Sequence, residues 1–434
     1  MAVAGFSEDG EVKVVGRCGP TLAGLLQPSP SASRMTNGRK SLLVFTHTVP
    51  YPLMSGGRIR YCHLLRHLAD RFDLYLLSLA DSSAEQVHAE HLRGWCREVR
   101  VVPFQKSKPS FAKKVKNLLS PHPADLNHED PRVAHAFSEI LATRPVDGVL
   151  IWTTFLASYI SLIPPRIKRA LDLDDLQFVR MRRAVSELPW GKKKLGYLLE
   201  PAKVKRFERR MLRSVNLAFT CSDTDKRRVI ELGTGVPVEI IPNGVDPERF
   251  TAGKYPEWPE PSLVYTGGLG SQGGQGVLRF MREVYPLIRK RIPQVKLHLV
   301  GGYVIPEVRQ AVARDSSVSL AEMVEDIRPY MAGGWVLIVP LWVGSGTRIK
   351  ILEACAMEKP VVSTPVGAEG LELTTGDHLF VEEEPRGFAA RCVELLREPA
   401  LRRAVGLKAR EAVCARYTWS TIGSLAAEIL DGLL

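Results

Sequence analysis

The sequence has few cysteines, and they are not arranged to bind a metal or to form a disulfide framework. Its seven cysteines among 434 residues are scattered, odd in number and never spaced as C-x-x-C. This pattern argues against a zinc site or paired disulfides and favours a reducing cytoplasm. Long hydrophobic runs are also missing: the longest nearly apolar one, residues 335–344, has about half the length of a membrane-spanning helix. No transmembrane helix is therefore expected.

A signal peptide is a further missing feature. In residues 1–40, acidic residues precede only a short apolar patch, which is not the pattern of a secretory signal. The segment is rich in Ser, Pro and Gly, so it is predicted to be a disordered extension, with Met35 as a candidate translation start. The alternative is an ordered extra strand at residues 11–15.

The composition is typical of a globular enzyme with two domains. Apolar residues make up 45% of the chain and charged residues 24%, and 434 residues are too many for one core. The net charge of +12 suits an anionic partner such as a nucleotide, a phospholipid surface or nucleic acid.

From residue 41 onward, short β-rich runs alternate with amphipathic stretches, which predicts an α/β architecture with parallel sheets. The runs lie at 41–47, 72–80, 98–104, 148–154, 168–175, 216–222 and 238–244, and then at 262–268, 296–302, 317–324, 336–341, 360–367 and 378–383. A polar, proline-rich linker separates the two sets. We therefore predict two facing Rossmann-like, doubly wound domains, 41–245 and 246–415, with a cleft between them and a final helical segment at 416–434.

Two glycine-rich loops follow predicted strands. Residues 267–276 contain G-x-G-x-x-G, but the next strand ends without the acid that would hold an NAD ribose, so NAD is disfavoured. Close approach of a phosphate to the backbone at Gly267 and Gly268 is expected, and a flexible turn is the alternative. Gly56 and Gly57 similarly admit a ligand against the backbone, unless they only make a tight strand-to-helix connection.

A third glycine turn, at residues 344–346, precedes an apolar helix predicted to begin near Thr347. Its free N–H groups, with Arg348 and Lys350 close by, match the chemistry of a diphosphate. Glu353 lies one turn deeper, and a carboxylate among apolar neighbours requires partners such as the vicinal hydroxyls of a ribose. The alternative is a surface ion pair between Lys350 and Glu353.

The stretch PLWVGSGTRIKILEACAMEKPVVSTPVGAEGLEL resembles the donor-site block of GT-B nucleotide-sugar glycosyltransferases of family 4, particularly bacterial exopolysaccharide-type sugar transferases. Four other stretches agree in order and place: THTVPYPLMSGGRIRYCHLLRHLA, CSDTDKRRVIELGTGVPVEIIPNGVDPERF, DIRPYMAGG and RYTWSTI. The resemblance covers about residues 41–430.

This resemblance implies a retaining, metal-independent glycosyltransferase without a cofactor. Such an enzyme moves a sugar from a nucleotide-diphospho-sugar to a hydroxyl of a sugar or lipid-linked acceptor, in polysaccharide or glycolipid biosynthesis. The first domain would bind the acceptor and the second the donor. The last helix, 416–434, would cross back onto the first domain.

The resemblance also implies roles for individual residues. Glu353 matches the second acid of a Glu-x7-Glu motif and would accept the ribose hydroxyls, while Arg348 and Lys350 would neutralise the diphosphate and stabilise its departure. The residues whose backbone would assist at the donor site are Gly344, Ser345, Gly346, Thr347, Gly267 and Gly268. Gly56 and Gly57 would face the donor phosphates or the acceptor.

The sequence departs from the family pattern at three positions. Ser345 stands where the first acid of the motif would contact the sugar, and the loop at 267–276 has no basic residue. Trp152 and Thr153 stand where a histidine is often found, so His47 is the candidate proton acceptor, with a packed or capping histidine as the alternative. Asp-x-Asp at 172–174 could bind a metal in another fold, but at a strand end in a doubly wound domain no metal is expected.

Two basic stretches lie in the first domain. Residues 192–213 hold nine Lys/Arg against two Glu, and residues 105–119 hold five Lys on an amphipathic pattern. They predict a cytoplasmic protein that docks peripherally on an anionic membrane, the alternative being soluble helices that pack inward. Rival functions are a nucleotide-sugar epimerase on the same fold and a non-catalytic nucleotide- or nucleic-acid-binding protein. A nucleic-acid partner is not expected, because no aromatic-basic motif is present.

Overall fold

The computed structural model describes residues 38–104, 123, 126 and 129–434. The predicted N-terminal extension, apart from residues 38–40, and the basic stretch at 105–119 lie outside the described residues. Within the described part of the chain, every helix is too short or too polar to cross a membrane.

The N-terminal domain is built on a seven-stranded parallel sheet with the strand order β3-β2-β1-β4-β5-β6-β7. Its strands are β1 Ser41–Thr46, β2 Asp73–Ala80, β3 Glu98–Pro103, β4 Gly148–Trp152, β5 Lys168–Leu173, β6 Leu217–Thr220 and β7 Val238–Ile240. Its helices are α1 Gly56–Ala69, α2 Ser83–His88, α3 Pro131–Thr143, α4 Gln177–Ser186, α5 Lys192–Tyr197, α6 Glu200–Leu212 and α7 Asp223–Ile230, with 3-10 turns at Ala89–Leu92 and Thr154–Leu162.

The C-terminal domain has a six-stranded parallel sheet with the order β10-β9-β8-β11-β12-β13. Its strands are β8 Ser262–Thr266, β9 Lys296–Gly301, β10 Val318–Glu322, β11 Val336–Val339, β12 Val361–Ser363 and β13 Phe380–Val381. Its helices are α8 Ser271–Glu283, α9 Tyr285–Arg291, α10 Pro306–Ala313, α11 Arg328–Gly333, α12 Ile349–Ala356, α13 Pro365–Ala368, α14 Pro385–Arg397 and α15 Pro399–Arg416. The last helix, α16, spans Trp419–Leu433.

Helices cover both faces of each sheet, which explains why the central strands are apolar along their whole length. In β1, Leu43 and Phe45 pack on one side of the sheet, and Leu42 and Val44 pack on the other. Each predicted β-rich run contains a strand of one of the two sheets. The predicted fold class, two Rossmann-like parallel α/β domains, is confirmed.

Helix α16 packs on the N-terminal domain, although it follows the C-terminal one in the chain. Trp419 stacks on His63 of α1 with ring centroids 4.9 Å apart, and Ile422 and Leu430 belong to the same buried cluster as Leu42. A backbone bridge between Val245 and Thr418 lies where the chain passes between the domains. The helix therefore completes one face of the first sheet.

Candidate active site in the interdomain cleft

The chain turns sharply between β11 and α12, at the glycine turn 344–346. Gly344 and Gly346 have φ angles of 151° and 70°, a range that favours glycine. Helix α12 begins at Ile349 rather than near Thr347, because Arg348 is still extended (φ −96°, ψ 101°). The predicted helix start was therefore two residues early, within the usual variation of helix ends.

Lys350 joins the glycine turn to the first loop of the C-terminal domain. Its Nζ lies 4.0 Å from the centre of the Tyr265 ring, a cation–π contact. It is also so close to Gly267 that a Cβ there would lie 2.7 Å from Nζ. Burial lowers the pKa of Lys350 to about 7, assisted by the neighbouring Arg348 and opposed by Glu353. Lys350 and Gly267, predicted to act on the same diphosphate, thus lie side by side.

Arg348 folds back over the glycine turn. Its Nη1 donates to the carbonyl oxygen of Ser345 at 2.5 Å, and a side chain at position 344 would overlap its guanidinium. Its Nε is buried and has no hydrogen-bond partner among the described residues. The guanidinium therefore retains a donor for a ligand.

Glu353 lies within α12 and is only 5% exposed. Burial raises the pKa of its carboxyl to about 7, against the opposing effect of Arg249 and Lys350. Among the described residues, Glu353 has no ion-pair partner within 4 Å, and Lys350 lies on Tyr265 instead. The geometry thus differs from the surface ion pair considered as the alternative.

Arg249 was missed by the sequence analysis. It follows β7, is partly buried, and its Nη1 has no hydrogen-bond partner in the described part of the chain. It affects the pKa of Glu353, and its carbonyl oxygen accepts from Arg328 Nη1 at 3.2 Å. Arg249 is one of four basic residues in the stretch 221–250, and nothing in the sequence distinguishes it from the other three.

The glycine turn at the start of α1 faces α12 across the cleft. A Cβ at Gly56 would touch Ile349 Cδ1 at 3.7 Å, and one at Gly57 would lie 3.8 Å from Asp174 Oδ2. The arginines behind this turn are occupied: Arg58 pairs with Glu85, and Arg60 with Asp172 at 2.9 Å. The backbone of Gly56 and Gly57, rather than those arginines, is therefore what the turn presents to the cleft.

His47 lies after β1, with its ring centroid 6.0 Å from that of Tyr61 and 5.5 Å from that of Phe155. Its surroundings are aromatic, as a packed histidine requires. Thr153, at the position where the family often has histidine, has a φ of 83°, a backbone conformation that threonine rarely adopts. No residue pattern around Thr153 predicts that conformation.

Three aspartates gather at the end of β5. Asp172 is buried and receives two hydrogen bonds from Arg60, at 2.9 and 3.1 Å. Asp174 accepts from the Tyr61 hydroxyl at 3.1 Å, and Asp175 lies against the glycine turn of the other domain. No group of three His, Cys, Asp or Glu side chains in the described ranges has the arrangement of a metal site.

Hydrogen bonds tie the two domains together around the cleft. Asn243 Nδ2 donates to Thr347 Oγ1 at 2.9 Å. Arg183 of α4 donates to the Gly344 carbonyl oxygen at 2.6 Å and to both carboxylate oxygens of Glu369 at 2.7 and 2.8 Å. Thr347, predicted to contact the donor, is thus engaged by the opposite domain.

Two parallel sheets meet with their carboxyl ends at a cleft that holds glycine turns, two cations and a buried carboxyl. This arrangement is that of a glycosyltransferase of the GT-B fold. Two family models match in order, "Glycosyltransferase Family 4" over residues 54–249 and "Glycosyl transferases group 1" over residues 260–398. The chain belongs to the family 4 glycosyltransferases. This membership favours a glycosyltransferase over an epimerase or a non-catalytic binding protein.

Curated relatives are distant. The chain is 24% identical to a GDP-mannose-dependent alpha-(1-6)-phosphatidylinositol monomannoside mannosyltransferase of Mycolicibacterium smegmatis, over 72% of this chain and 83% of that one. It is also 24% identical to an uncharacterized 44.6 kDa protein in the cps region of Klebsiella pneumoniae, where the match spans 30% of this chain and only 36% of that protein.

Solved structures share the fold. Sucrose-phosphate synthase from Thermosynechococcus elongatus superposes with a TM-score of 0.69 at 17% identity, covering 91% of this chain and 99% of that one. HepE of Anabaena in complex with UDP and glucose superposes with a TM-score of 0.60 at 16% identity, covering 91% and 100%.

Proposed function

We propose that the protein is a retaining, metal-independent glycosyltransferase that takes its sugar from a nucleotide-diphospho-sugar and needs no cofactor. The observation that carries the proposal is Glu353, a buried carboxyl without an ion-pair partner, one helical turn behind Arg348 and Lys350. A ribose with two vicinal hydroxyls supplies the donors that this carboxyl lacks.

The cleft supports departure of a nucleoside diphosphate. As the bond between the sugar and the diphosphate breaks, negative charge grows on the leaving oxygen. Lys350, Arg348 and the backbone amides of the glycine turn are fixed in place before that charge develops, which is how electrostatic stabilisation lowers a barrier. An acceptor hydroxyl then attacks the sugar carbon from the same face, and its proton passes to the departing diphosphate oxygen. Carboxyls are present at the end of β5, but no step here requires a covalent intermediate on them.

The acceptor is proposed to be a sugar or lipid-linked hydroxyl in polysaccharide or glycolipid biosynthesis. Support comes from two relatives, one a phosphatidylinositol monomannoside mannosyltransferase and the other a protein in a cps region. A cytoplasmic enzyme of this kind meets a lipid-linked acceptor at the inner membrane surface.

A surface beside the cleft supports such peripheral docking. Between α4 and α6, five apolar side chains are exposed, and we call them the apolar knob: Trp190, Leu195, Tyr197, Leu198 and Leu199. Lys192 and Lys194 lie among them, as on surfaces that bind anionic lipid. The knob follows directly on α4, whose Arg183 contacts the donor-side glycine turn.

A thermal-shift panel with GDP-mannose, UDP-glucose and dTDP-glucose tests the donor site. At least one nucleotide should stabilise the wild type, because ligands that bind only the folded state raise its stability. Glu353→Ala should lower the affinity for that nucleotide by roughly 10–100-fold, which corresponds to the loss of one or two hydrogen bonds to a charged group. Glu411→Ala, at an exposed glutamate of α15, is the matched control and should respond like the wild type.

No stabilisation of the wild type by any nucleotide, or an equal response of Glu353→Ala, would contradict the proposal. The anomeric configuration of the product by NMR, and activity in the presence of a chelator, test retention and metal independence separately.

A further inference from the structure

The position that departs most from the family pattern is buried in the cleft. Ser345 is 1% exposed, and its hydroxyl has no hydrogen-bond partner of normal geometry among the described residues. In the Glu-x7-Glu pattern an acid at this position would contact the transferred sugar. A serine hydroxyl offers neither the charge nor the reach of that acid, so position 345 provides no carboxylate for the sugar.

The opposite domain brings a carboxylate to the same place. Gly346, next to Ser345, packs so closely on the end of β5 that a Cβ there would overlap Asp175 Oδ1 and lie 2.6 Å from the Asp174 carbonyl oxygen. Gly346 also has a φ of 70°. Glycine is required here both for the turn and for the approach of the acid.

The three acids at this strand end differ in how their oxygens are used. Both carboxylate oxygens of Asp172 accept from Arg60, and Asp174 accepts from Tyr61 and from the Asp175 N–H at 3.0 Å. Among the described residues, the Ser345 hydroxyl is the side-chain donor that lies close enough to interact with the Asp175 carboxylate. Burial raises the pKa of Asp175, and Arg348, Arg180 and the nearby Ser345 hydroxyl oppose that rise. Asp175 is thus an acceptor with unused capacity, held beside the cation expected at the diphosphate.

We propose that Asp175 of the N-terminal domain recognises the hydroxyls of the transferred sugar, in place of the acid that is missing at position 345. This inference rests on the proposed function and adds the residue that selects the sugar. The two carboxylate oxygens can accept from two neighbouring hydroxyls, so Asp175 favours donors with a free vicinal pair at that end of the sugar. Because the diphosphate is bound by one domain and the sugar is read by the other, sugar selection requires a closed cleft.

The test compares a nucleotide with and without its sugar. Dissociation constants for GDP and GDP-mannose, and for UDP and UDP-glucose, are measured by calorimetry for the wild type and for Asp175→Asn, which keeps the shape and removes the charge. We divide the dissociation constant of the nucleotide-sugar by that of the free nucleotide. This ratio should rise by roughly 10–100-fold in the variant, as expected for lost hydrogen bonds to a charged acceptor. Affinity for the free nucleotide should be unchanged or higher. Asp223→Asn, at an exposed acid of the same domain, is the matched control.

The possible results separate the two proposals. A wild type that binds no nucleotide overturns the proposed function and this inference together. A wild type that binds nucleotides, with Asp175→Asn showing the same ratio, overturns the role of Asp175 alone. A rise in the KM for acceptor without a change in the donor ratio also overturns it, because the acid would then face the acceptor. Equal weakening of nucleotide and nucleotide-sugar, with a lower Tm, would assign Asp175 a structural role instead.

Discussion

Lys350 and Glu353 lie on one face of α12, and burial moves the pKa of both groups to about 7. Each is therefore about half ionised in the empty cleft at pH 7. A diphosphate favours the ammonium form of Lys350 and raises its pKa in the complex. At pH values between the pKa of Lys350 in the free enzyme and its higher pKa in the complex, Lys350 is protonated in the complex and mostly neutral in the free enzyme. Binding therefore takes up a proton at Lys350, and this contribution makes nucleotide affinity fall as pH rises.

We predict that nucleotide binding weakens above pH 7, by up to about tenfold per pH unit, and takes up a proton. Calorimetry in buffers of different ionisation enthalpy measures both quantities. Lys350→Arg keeps the positive charge at all these pH values, so nucleotide binding by this variant should not weaken above pH 7. Because Glu353 is unchanged in both proteins, the comparison isolates Lys350. An identical pH profile for Lys350→Arg would show that another group is responsible.

At the same scale, sequence reasoning recovered the chemistry of α12 but not its partners across the cleft. Arg348, Lys350 and Glu353 are close in sequence, so the helical period alone predicts their proximity. Asp175 meets Gly346, and Arg249 influences Glu353, only because the chain folds, and no local pattern encodes either contact. Basic residues are also so numerous that Arg249 could not be singled out.

At the scale of elements, the strands were the most predictable features, because buried parallel strands are apolar on both faces and have a distinct composition. Their ends were less predictable. The run at 378–383 contains only a two-residue strand, Phe380–Val381, since only these residues pair with β12. The start of α12 was shifted for a related reason: the extended Arg348 turns back to the Ser345 carbonyl, a contact that propensity does not encode.

The apolar knob around α5 gives the element-scale prediction. Trp190 is 78% exposed and Leu195 is 61% exposed, and an exposed group of large apolar side chains is typical of an interaction surface. Trp190→Ser combined with Leu195→Ser should weaken co-sedimentation with vesicles of equal parts phosphatidylglycerol and phosphatidylcholine by roughly tenfold or more. Wild-type binding should fall as salt rises.

Leu407→Ser is the matched control for this measurement. Leu407 is 55% exposed on α15 of the other domain, so its replacement removes an exposed leucine like Leu195 without changing the knob. It should leave vesicle binding unchanged. Unchanged binding by the double variant would rule out the knob as the docking surface.

At the scale of the whole molecule, Glu369 connects the domains. Its carboxylate accepts from Arg183 of α4 and from Arg228 of α7 at 2.6 Å. These arginines lower the pKa of Glu369 to about 2, against the effect of burial. A depressed carboxyl pKa adds stability above its unfolded value near 4.5, and that stability is lost as pH falls toward 2.

Glu369→Gln should therefore leave two arginines unmatched and loosen the closed arrangement. We expect a loss of roughly 1.5–3 kcal/mol in the free energy of unfolding at pH 7, with little difference from the wild type near pH 2. Small-angle scattering should show a larger radius of gyration. Glu372→Gln, at an exposed acid of the same loop, is the control. If Glu369→Gln had the same unfolding free energy and radius of gyration as the wild type, the ion pairs of Glu369 would not be what keeps the domains together.

The fold as a whole was predictable because β-rich runs that alternate with helical stretches indicate a parallel sheet. Connections between parallel strands are almost always right-handed, which leaves few possible topologies. The arrangement of the two domains relative to each other could not be predicted from the sequence. Arg183 and Glu369 are separated by 186 residues, and neither differs in its local sequence from a solvated charge.

The position of α16 has a consequence for biosynthesis. The first domain to leave the ribosome is the last to be completed, because Trp419, Ile422 and Leu430 cover a face of its sheet. While the second domain is being synthesised, the part of that apolar face that α16 covers in the finished protein stays exposed. The nascent protein therefore presents an apolar surface of the kind that chaperones recognise. That surface is covered only when α16 has left the ribosome and packs on the first domain.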